Sequence, residues 1–254
     1  MAGRHDLEYR RRRAESVRKD LERHKIEGSV FSYETLESIG KLGSDGFIDQ
    51  IKGPIATGKE ADVFLGILGD GRIVIKIFRF SSASYFRKPS VLKYIRGDER
   101  FKRIKRSPRD LIKCWAMKEF RNLKKAQEAG IHAPKPIAIE KNVLVMQYIG
   151  DDHPAKRLLE SKLKNPERTF REIVRQVKML YMTGIVHADL SEYNILMLKD
   201  TPYLIDFGQA VLLSHPHAEE FLERDVKNIC MFFQRLGVKC NIGEMLKKVR
   251  GKNG

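Results

Sequence analysis

Alternating apolar and polar positions dominate the middle of the chain and predict β-strands. Strand patterns cover residues 47–51, 61–68, 72–78, 136–139 and 143–148. A Gly-Asp-Gly turn separates the second and third strands, and a Lys-Asn turn separates the last two. Because these short turns reverse the chain, the five strands are predicted to form an antiparallel sheet.

A long helix is predicted between the third and fourth strands. Ser107 is a suitable N-cap residue, Pro108 suits the first helical position, and Gly130 suits the end. Apolar residues recur at intervals of three or four along this segment, and Glu119 interrupts their stripe. A carboxylate at a core-facing position needs a partner.

The second half of the chain changes to helical spacing. Helices are predicted at 166–183, 217–236 and 242–249, with a short hairpin at 195–205. The fold class is therefore α+β, with a small sheet-rich lobe followed by a mostly helical lobe. Domain boundaries are expected at 1–45 for a basic helical extension, 46–148 for the first lobe and 149–254 for the second.

Positive charge is concentrated in three segments. The chain has 254 residues and a net charge of +16, from 49 Lys and Arg against 33 Asp and Glu. The excess lies in residues 1–25, 79–113 and 239–252. The middle segment shows no clear periodicity, so a flexible basic insertion is predicted at about 80–107. Either a solvated loop or a contact with RNA or another phosphate backbone fits this charge. Its serines are candidates for self-phosphorylation, namely Ser81, Ser82, Ser84, Ser90 and Ser107.

Cysteine content and hydropathy bear on the compartment. Cys114, Cys230 and Cys240 are odd in number and lack Cys-x-x-Cys spacing, so neither a disulfide framework nor a cysteine-based zinc site is expected. No apolar run reaches the roughly 20 residues needed to cross a bilayer. A soluble, cytoplasmic protein with no membrane partner is predicted.

Two charged residues on successive elements suggest a phosphate site. Lys76 lies on a strand with apolar neighbours, and an ammonium in that position needs an anion. Glu119 on the next helix is the natural partner. The sequence predicts that the two form an ion pair and that Lys76 faces a phosphate group.

The segment His187–Asn194 and the triplet that begins at Asp206 contain suitable groups for phosphoryl transfer. Asp189 can orient a hydroxyl group and accept its proton, and Asn194 offers a neutral oxygen to a metal ion. Asp206 is followed by Phe and Gly directly after a strand, and its carboxylate suits Mg²⁺.

This set of residues resembles the protein-kinase signature, and its details resemble the RIO family of atypical serine/threonine protein kinases. The first RIO subfamily is indicated by three motifs: Thr57-Gly58-Lys59-Glu60-Ala61, His-Ala-Asp-Leu-Ser-Glu-Tyr-Asn at 187–194, and Ile-Asp-x-x-Gln at 205–209. Because the Lys-rich C-terminal extension of eukaryotic members is missing, an archaeal form is expected. Ala56 departs from the family pattern, in which serine is usual. The resemblance implies a bilobal kinase-like fold that lacks the activation loop and the late kinase subdomains.

The resemblance also implies roles for individual residues. Asp189 would be the catalytic base, Asn194 and Asp206 would bind Mg²⁺ or Mn²⁺, and Asp206 is a possible site of an aspartyl-phosphate. The implied ATP-binding residues are Thr57, Gly58, Lys59, Lys76, Glu119, Met146, Gln147 and Ile149.

The implied function is an ATP- and Mg²⁺-dependent serine/threonine kinase with autophosphorylation and ATPase activity, acting in maturation of the small ribosomal subunit. The expected partners are ATP, the subunit precursor, its rRNA and unknown protein serine substrates. One alternative is an ATPase-driven release switch on pre-ribosomal particles. Two others are a P-loop NTPase, suggested by Gly-x-x-x-x-Gly-Lys at 53–59, and a small-molecule phosphotransferase.

Overall fold

The computed structural model describes residues 2–24, 31–101 and 107–251, and the chain divides into two compact units. The first unit contains the N-terminal helices, the large sheet and the long helix as far as Phe120. The second contains the basic segment that begins at Lys93, the rest of the long helix and its continuation to Pro134, and the chain from Ile149 onward.

The five-stranded antiparallel sheet of the first unit confirms the prediction. Its strand order is β1-β2-β3-β5-β4, and every neighbouring pair is antiparallel. The first strand begins three residues later than predicted and ends six residues later, at Thr57. The strands are β1 (Gln50–Thr57), β2 (Ala61–Leu68), β3 (Gly71–Phe78), β4 (Pro136–Glu140) and β5 (Val143–Gln147).

Two N-terminal helices pack against this sheet. They are α1 (Ala2–Arg23) and α2 (Tyr33–Ser44). Ser32 caps α2 by accepting a hydrogen bond from the Thr35 N–H at 3.2 Å. Helix α1 contributes Val17 and Leu21, both fully buried, to the same apolar cluster as the sheet. The N-terminal segment is therefore part of the first unit's core.

The basic segment after β3 is helical, and the prediction of an insertion without regular structure was wrong. It forms 3₁₀ turns at Phe80–Ser82 and Glu99–Phe101, and helices α3 (Ala83–Phe86) and α4 (Pro89–Arg96). Residues 102–106 lie outside the described part of the chain. The charges obscured a helical apolar pattern, because the buried residues of α4 are Val91, Tyr94 and Ile95.

Helix α5 (Pro108–Glu128) agrees with its prediction. The Ser107 hydroxyl accepts a hydrogen bond from the Asp110 N–H at 3.1 Å, as an N-cap residue does. Trp115, on the buried face, contacts the Phe86 ring edge-on with centroids 5.4 Å apart.

The second unit is mostly helical, as predicted. Its helices are α6 (Pro166–Met182), α7 (Ala218–Arg235) and α8 (Ile242–Val249), with a 3₁₀ turn at Leu158–Glu160. Its strands form two small antiparallel sheets, in the orders β6-β8-β9 and β10-β7. These strands are β6 (Lys156–Arg157), β7 (Ile185–Val186), β8 (Ile195–Leu198), β9 (Thr201–Leu204) and β10 (Val211–Leu212).

One expectation about the cysteines was wrong. Cys230 and Cys240 form a disulfide, with Cα atoms 5.8 Å apart. The turn between α7 and α8 brings them together, a proximity that sequence spacing alone does not reveal. Among the described helices, none is long and apolar enough to cross a bilayer.

Candidate active site

The first part of the candidate site is an ion pair on β3 and α5. Lys76 pairs in register with Val63 on β2 and Leu144 on β5, so it lies at the centre of the sheet. Its Nζ donates hydrogen bonds to Glu119 Oε1 at 2.9 Å and to Oε2 at 2.8 Å. The two side chains are 10% and 1% exposed. The ion pair predicted from the sequence therefore forms, and it is buried.

The turn between β1 and β2 contains the next three predicted residues. Thr57, Gly58 and Lys59 are exposed. The Gly58 N–H donates to the Ala61 carbonyl at 3.0 Å and closes the turn. Because a strand precedes this turn and another strand follows it, the turn is not a P-loop, which leads into a helix. The P-loop alternative is therefore wrong.

The end of β5 contains Met146 and Gln147. The Gln147 N–H donates to the Lys135 carbonyl at 2.8 Å, and the Gln147 side-chain oxygen accepts from the Lys135 N–H at 3.2 Å. This double link holds the last residue of β5 in place. In the second unit, the Ile149 carbonyl accepts a hydrogen bond from the Ala155 N–H at 3.0 Å.

The loop that contains Asp189 is held by side-chain hydrogen bonds. Asn194 Nδ2 donates to the Asp189 carbonyl at 2.8 Å and to its carboxylate at 3.1 Å. Gln209 Nε2 donates to the same carboxylate oxygen at 3.2 Å. The predicted Asp and Asn are therefore brought together, and the two amide donors fix the plane of the Asp189 carboxylate.

Asp206 follows this loop in the structure. Its φ angle is 64°, a left-handed conformation that is rare for a residue with a side chain. The next residue, Phe207, is fully buried, and its ring centroid lies 4.8 Å from that of His187. His187 Nε2 forms a hydrogen bond with the Ile205 carbonyl at 3.0 Å. The chain on both sides of Asp206 is thus tied to the loop that contains Asp189.

Asn194 and Asp206 fit a hard divalent cation. Mg²⁺ prefers oxygen ligands and takes only one or two carboxylates from the protein when a nucleotide supplies phosphate oxygens. Asn194 directs its Nδ2 hydrogens at Asp189, so its side-chain oxygen points away from that residue. Asp206 offers a carboxylate. The donor set is therefore one carboxylate and one amide oxygen.

Asp225 is a buried acid on α7 that was not predicted from the sequence. It is 1% exposed and accepts hydrogen bonds from the backbone N–H groups of Ala188 at 2.7 Å and Leu190 at 2.9 Å. Burial raises the pKa of Asp225 to about 7, although the two N–H donors and Arg224 act in the opposite direction. A signal for it exists, because Asp225 interrupts the apolar face of α7 as Glu119 interrupts that of α5.

Two neighbours of Asp225 support the same loop from α7. Arg224 donates from Nη2 to the Ala188 carbonyl, and Asn228 Nδ2 donates to the Leu190 carbonyl at 3.1 Å. With Asp225, they satisfy both backbone groups of Ala188 and of Leu190. The peptide groups on either side of Asp189 are thereby held by a single helix.

Asn122 is a further residue that the sequence analysis missed. It is fully buried on α5, and its Nδ2 donates to the carbonyls of Phe207 at 2.9 Å and Ala210 at 2.8 Å. Its side-chain oxygen accepts a hydrogen bond from Arg100 at 2.9 Å. Asn122 thus holds the backbone directly after Asp206.

An antiparallel sheet with a buried Lys–Glu pair, in a chain that also has an ordered Asp–Asn loop, defines the protein-kinase-like class of α+β proteins. Within that class, the model of the RIO domain matches residues 62–245. The chain therefore belongs to the RIO family of serine/threonine protein kinases. The small-molecule phosphotransferase alternative has no support from this match.

Relatives agree with this family and with the first subfamily expected from the sequence. The chain is 42% identical to the RIO-type serine/threonine-protein kinase Rio1 of Haloferax volcanii, over 93% of this chain and 81% of that protein. It is 40% identical to the protein of the same name from Methanocaldococcus jannaschii, over 97% and 84% of the two chains. A crystal structure of the Rio2 kinase–ADP/Mg²⁺–phosphoaspartate complex from Chaetomium thermophilum has a TM-score of 0.66 and 25% identity, covering 88% of this chain and 69% of that one.

Proposed function

We propose that this protein transfers the γ-phosphoryl group of ATP to serine or threonine hydroxyls, and that the reaction requires Mg²⁺. The observation that carries the proposal is the buried ion pair of Lys76 and Glu119. An ammonium at the centre of a sheet is costly to bury, and its retention there is explained by a phosphate ligand.

Most of the residues that would bind ATP lie in the first unit. The Gly58 N–H is used by the turn itself, since it donates to the Ala61 carbonyl. Other backbone N–H groups of the turn at Thr57, Gly58 and Lys59 would face the phosphates, because N–H groups in a turn can form an anion site. Lys76, oriented by Glu119, would contact the α- and β-phosphates. The end of β5 at Met146 and Gln147, together with Ile149, would bind adenine through the backbone.

The residues of the second unit would carry the chemistry. The substrate oxygen attacks the γ-phosphorus, the bond from that phosphorus to the β–γ bridging oxygen breaks, and ADP leaves. Asp189 would accept the hydroxyl proton, and its carboxylate is already oriented by Asn194 and Gln209. Mg²⁺ or Mn²⁺, bound by Asn194 and Asp206, would neutralise charge on the phosphates.

A second candidate function is an ATPase cycle that acts as a release switch. In that cycle a carboxylate oxygen of Asp206 would attack the γ-phosphorus of ATP, and ADP would leave. Water would then hydrolyse the aspartyl-phosphate, releasing inorganic phosphate and restoring the Asp206 carboxylate. The observation that favours it is the phosphoaspartate in the Rio2 kinase complex. Autophosphorylation on serine and an aspartyl-phosphate cycle are distinguishable by their chemical stability.

We further propose a cytoplasmic role in maturation of the small ribosomal subunit, with contacts to its precursor and rRNA through the basic segments. The support is the net charge of +16 and its concentration in three segments. On α1, Arg10 and Lys19 already pair with acids one turn away. Basic residues of the segment at 79–113 pair with acids as well, among them Arg79 and Arg100, so these pairs favour neither segment. RNA affinity is expected to fall steeply with salt concentration.

The test is incubation with γ-labelled ATP and Mg²⁺, comparing the wild-type protein with Asp189→Ala and Asp206→Ala. Asp200→Ala, which removes an exposed carboxylate from the β8–β9 turn, is the matched control. The kinase function is supported if the label is stable to acid and resists hydroxylamine. That label should be present in the wild type and the control and absent in Asp189→Ala. Label released by hydroxylamine and absent in Asp206→Ala supports the switch. Neither label nor phosphate release in the wild type contradicts both.

A further inference from the structure

The turn between β1 and β2 is fastened to the residues that follow β3. Ser82 Oγ donates a hydrogen bond to the Lys59 carbonyl at 2.7 Å. The Arg79 N–H donates to the Glu60 carbonyl at 3.0 Å. The consecutive carbonyls of Lys59 and Glu60 therefore both accept hydrogen bonds from the short segment Arg79–Ser82.

A buried ion pair anchors the residues that make these bonds. Arg79 Nε donates to Asp62 Oδ2 at 2.6 Å, and Arg79 Nη2 donates to Oδ1 of the same carboxylate. Asp62 is fully buried, whereas Arg79 is 26% exposed. A bidentate pair fixes the plane of both groups. Since a buried carboxylate needs its partner, Arg79 is held firmly at the beginning of β2.

These bonds determine the direction of two N–H groups at the end of the turn, those of Glu60 and Ala61. In a trans peptide the carbonyl and the N–H of the next residue point in opposite directions. When Ser82 holds the Lys59 carbonyl, the Glu60 N–H must point away from Ser82. When the Arg79 N–H holds the Glu60 carbonyl, the orientation of the next peptide is fixed in the same way. The turn is therefore ordered before any anion binds to it.

We propose that Arg79 and Ser82 are positioning residues that preorganise the turn at Thr57–Glu60 for the phosphates of ATP. This role rests on the proposed function, because it assumes that the turn binds ATP. Neither residue is required to touch the nucleotide. Their contribution is to remove disorder that ATP binding would otherwise have to suppress, so their loss weakens ATP binding and leaves the adenine contacts intact.

The experiment measures dissociation constants for Mg²⁺–ATP and for adenosine by calorimetry, in the full chain. Ser82→Ala is expected to weaken ATP binding about fivefold, since one net hydrogen bond is worth about 1 kcal/mol. Adenosine has no phosphates, and its affinity should not change. Ser81→Ala, an exposed neighbour in the same 3₁₀ turn, is the matched control and should bind both ligands as the wild type does. Ser82→Thr retains the hydroxyl and should restore ATP affinity.

Arg79→Met tests the anchor, and it is expected to weaken ATP binding more than Ser82→Ala does. Because it also removes the partner of buried Asp62, its melting temperature must be measured, and the Ser82 variants carry the test if it fails to fold. Unchanged ATP affinity in Ser82→Ala overturns the positioning role, as does an equal loss of affinity for adenosine. A wild-type chain that binds no ATP overturns the proposed function together with the positioning role.

Discussion

The buried pair of Lys76 and Glu119 predicts a specific pattern of stability in a double-mutant cycle. The cycle compares the wild type with Lys76→Met, Glu119→Leu and the double variant. These replacements keep the approximate side-chain volume and remove the charge. The free energy of unfolding is measured by urea denaturation at neutral pH without nucleotide.

The magnitude follows from the geometry. At the observed Nζ–Oε2 separation of 2.8 Å, two unit charges attract by about 6 kcal/mol at an effective dielectric constant of about 20. Desolvation of the two ions offsets several kcal/mol of this attraction, so the pair as a whole contributes little net stability. Removing one partner leaves the other buried without this counter-charge and should cost about 3–5 kcal/mol.

The two single variants should differ in severity. Glu119 is 1% exposed and Lys76 is 10% exposed. The ammonium lies on a flexible chain that can move toward water, whereas the carboxylate cannot. Lys76→Met should therefore destabilise more than Glu119→Leu. The double variant should lie within about 2 kcal/mol of the wild type, because apolar pairs replace buried ion pairs at little cost.

A matched control uses Lys19 and Glu15 on α1. Their Nζ–Oε1 distance is also 2.8 Å, but each side chain is 60% exposed. The same cycle on this pair should show no measurable coupling, since solvent screens exposed charges. If the Lys76 and Glu119 variants are additive, so that the double variant loses the sum of the single losses, the two side chains act through separate contacts and the reasoning is refuted.

Two further predictions concern the support of the Asp189 and Asp206 loops. The pKa of Asp225 is about 7 in the folded protein, against 3.8 for the unfolded chain. Its contribution to the free energy of unfolding is therefore complete below a pH of 3.8 and declines as the pH rises toward about 7. The excess stability of the wild type over Asp225→Asn should therefore shrink between pH values of about 4 and 7 in urea titrations, and a constant or growing excess contradicts the assignment. Asn122→Leu should destabilise the protein by about 3 kcal/mol, because two buried carbonyls lose their hydrogen-bond donor. The variant should also transfer phosphoryl groups more slowly. A variant as stable as the wild type contradicts this prediction.

Much of the site was visible in the sequence because charges interrupt apolar patterns. Lys76 and Glu119 each occupy a core-facing position, and a buried charge without a partner is too costly to persist. Asp225 follows the same rule on α7, but its partners are backbone N–H groups. Because every residue except proline has a backbone N–H, the sequence contains no second charged residue that would identify the partner of Asp225.

Other features depend on geometry that periodicity does not contain. The hydrogen bond from Ser82 to Lys59 requires the register of β2 against β3 and the turn that follows Phe78. Helix α4 was missed because Lys93 and Arg96 obscured a short apolar pattern, and α3, with four residues, is too short to show one. The disulfide of Cys230 with Cys240 arises from the turn between two helices.

Ala188 has a φ angle of 63°, a backbone conformation that an alanine adopts only at a cost of roughly 1–3 kcal/mol. Glycine adopts the same conformation without that cost. Selection for heat resistance alone would therefore favour glycine at position 188. Such a variant would gain stability and also gain freedom in the loop that contains Asp189, whose order the proposed reaction would need. At position 188, a substitution that increases stability is therefore expected to reduce turnover.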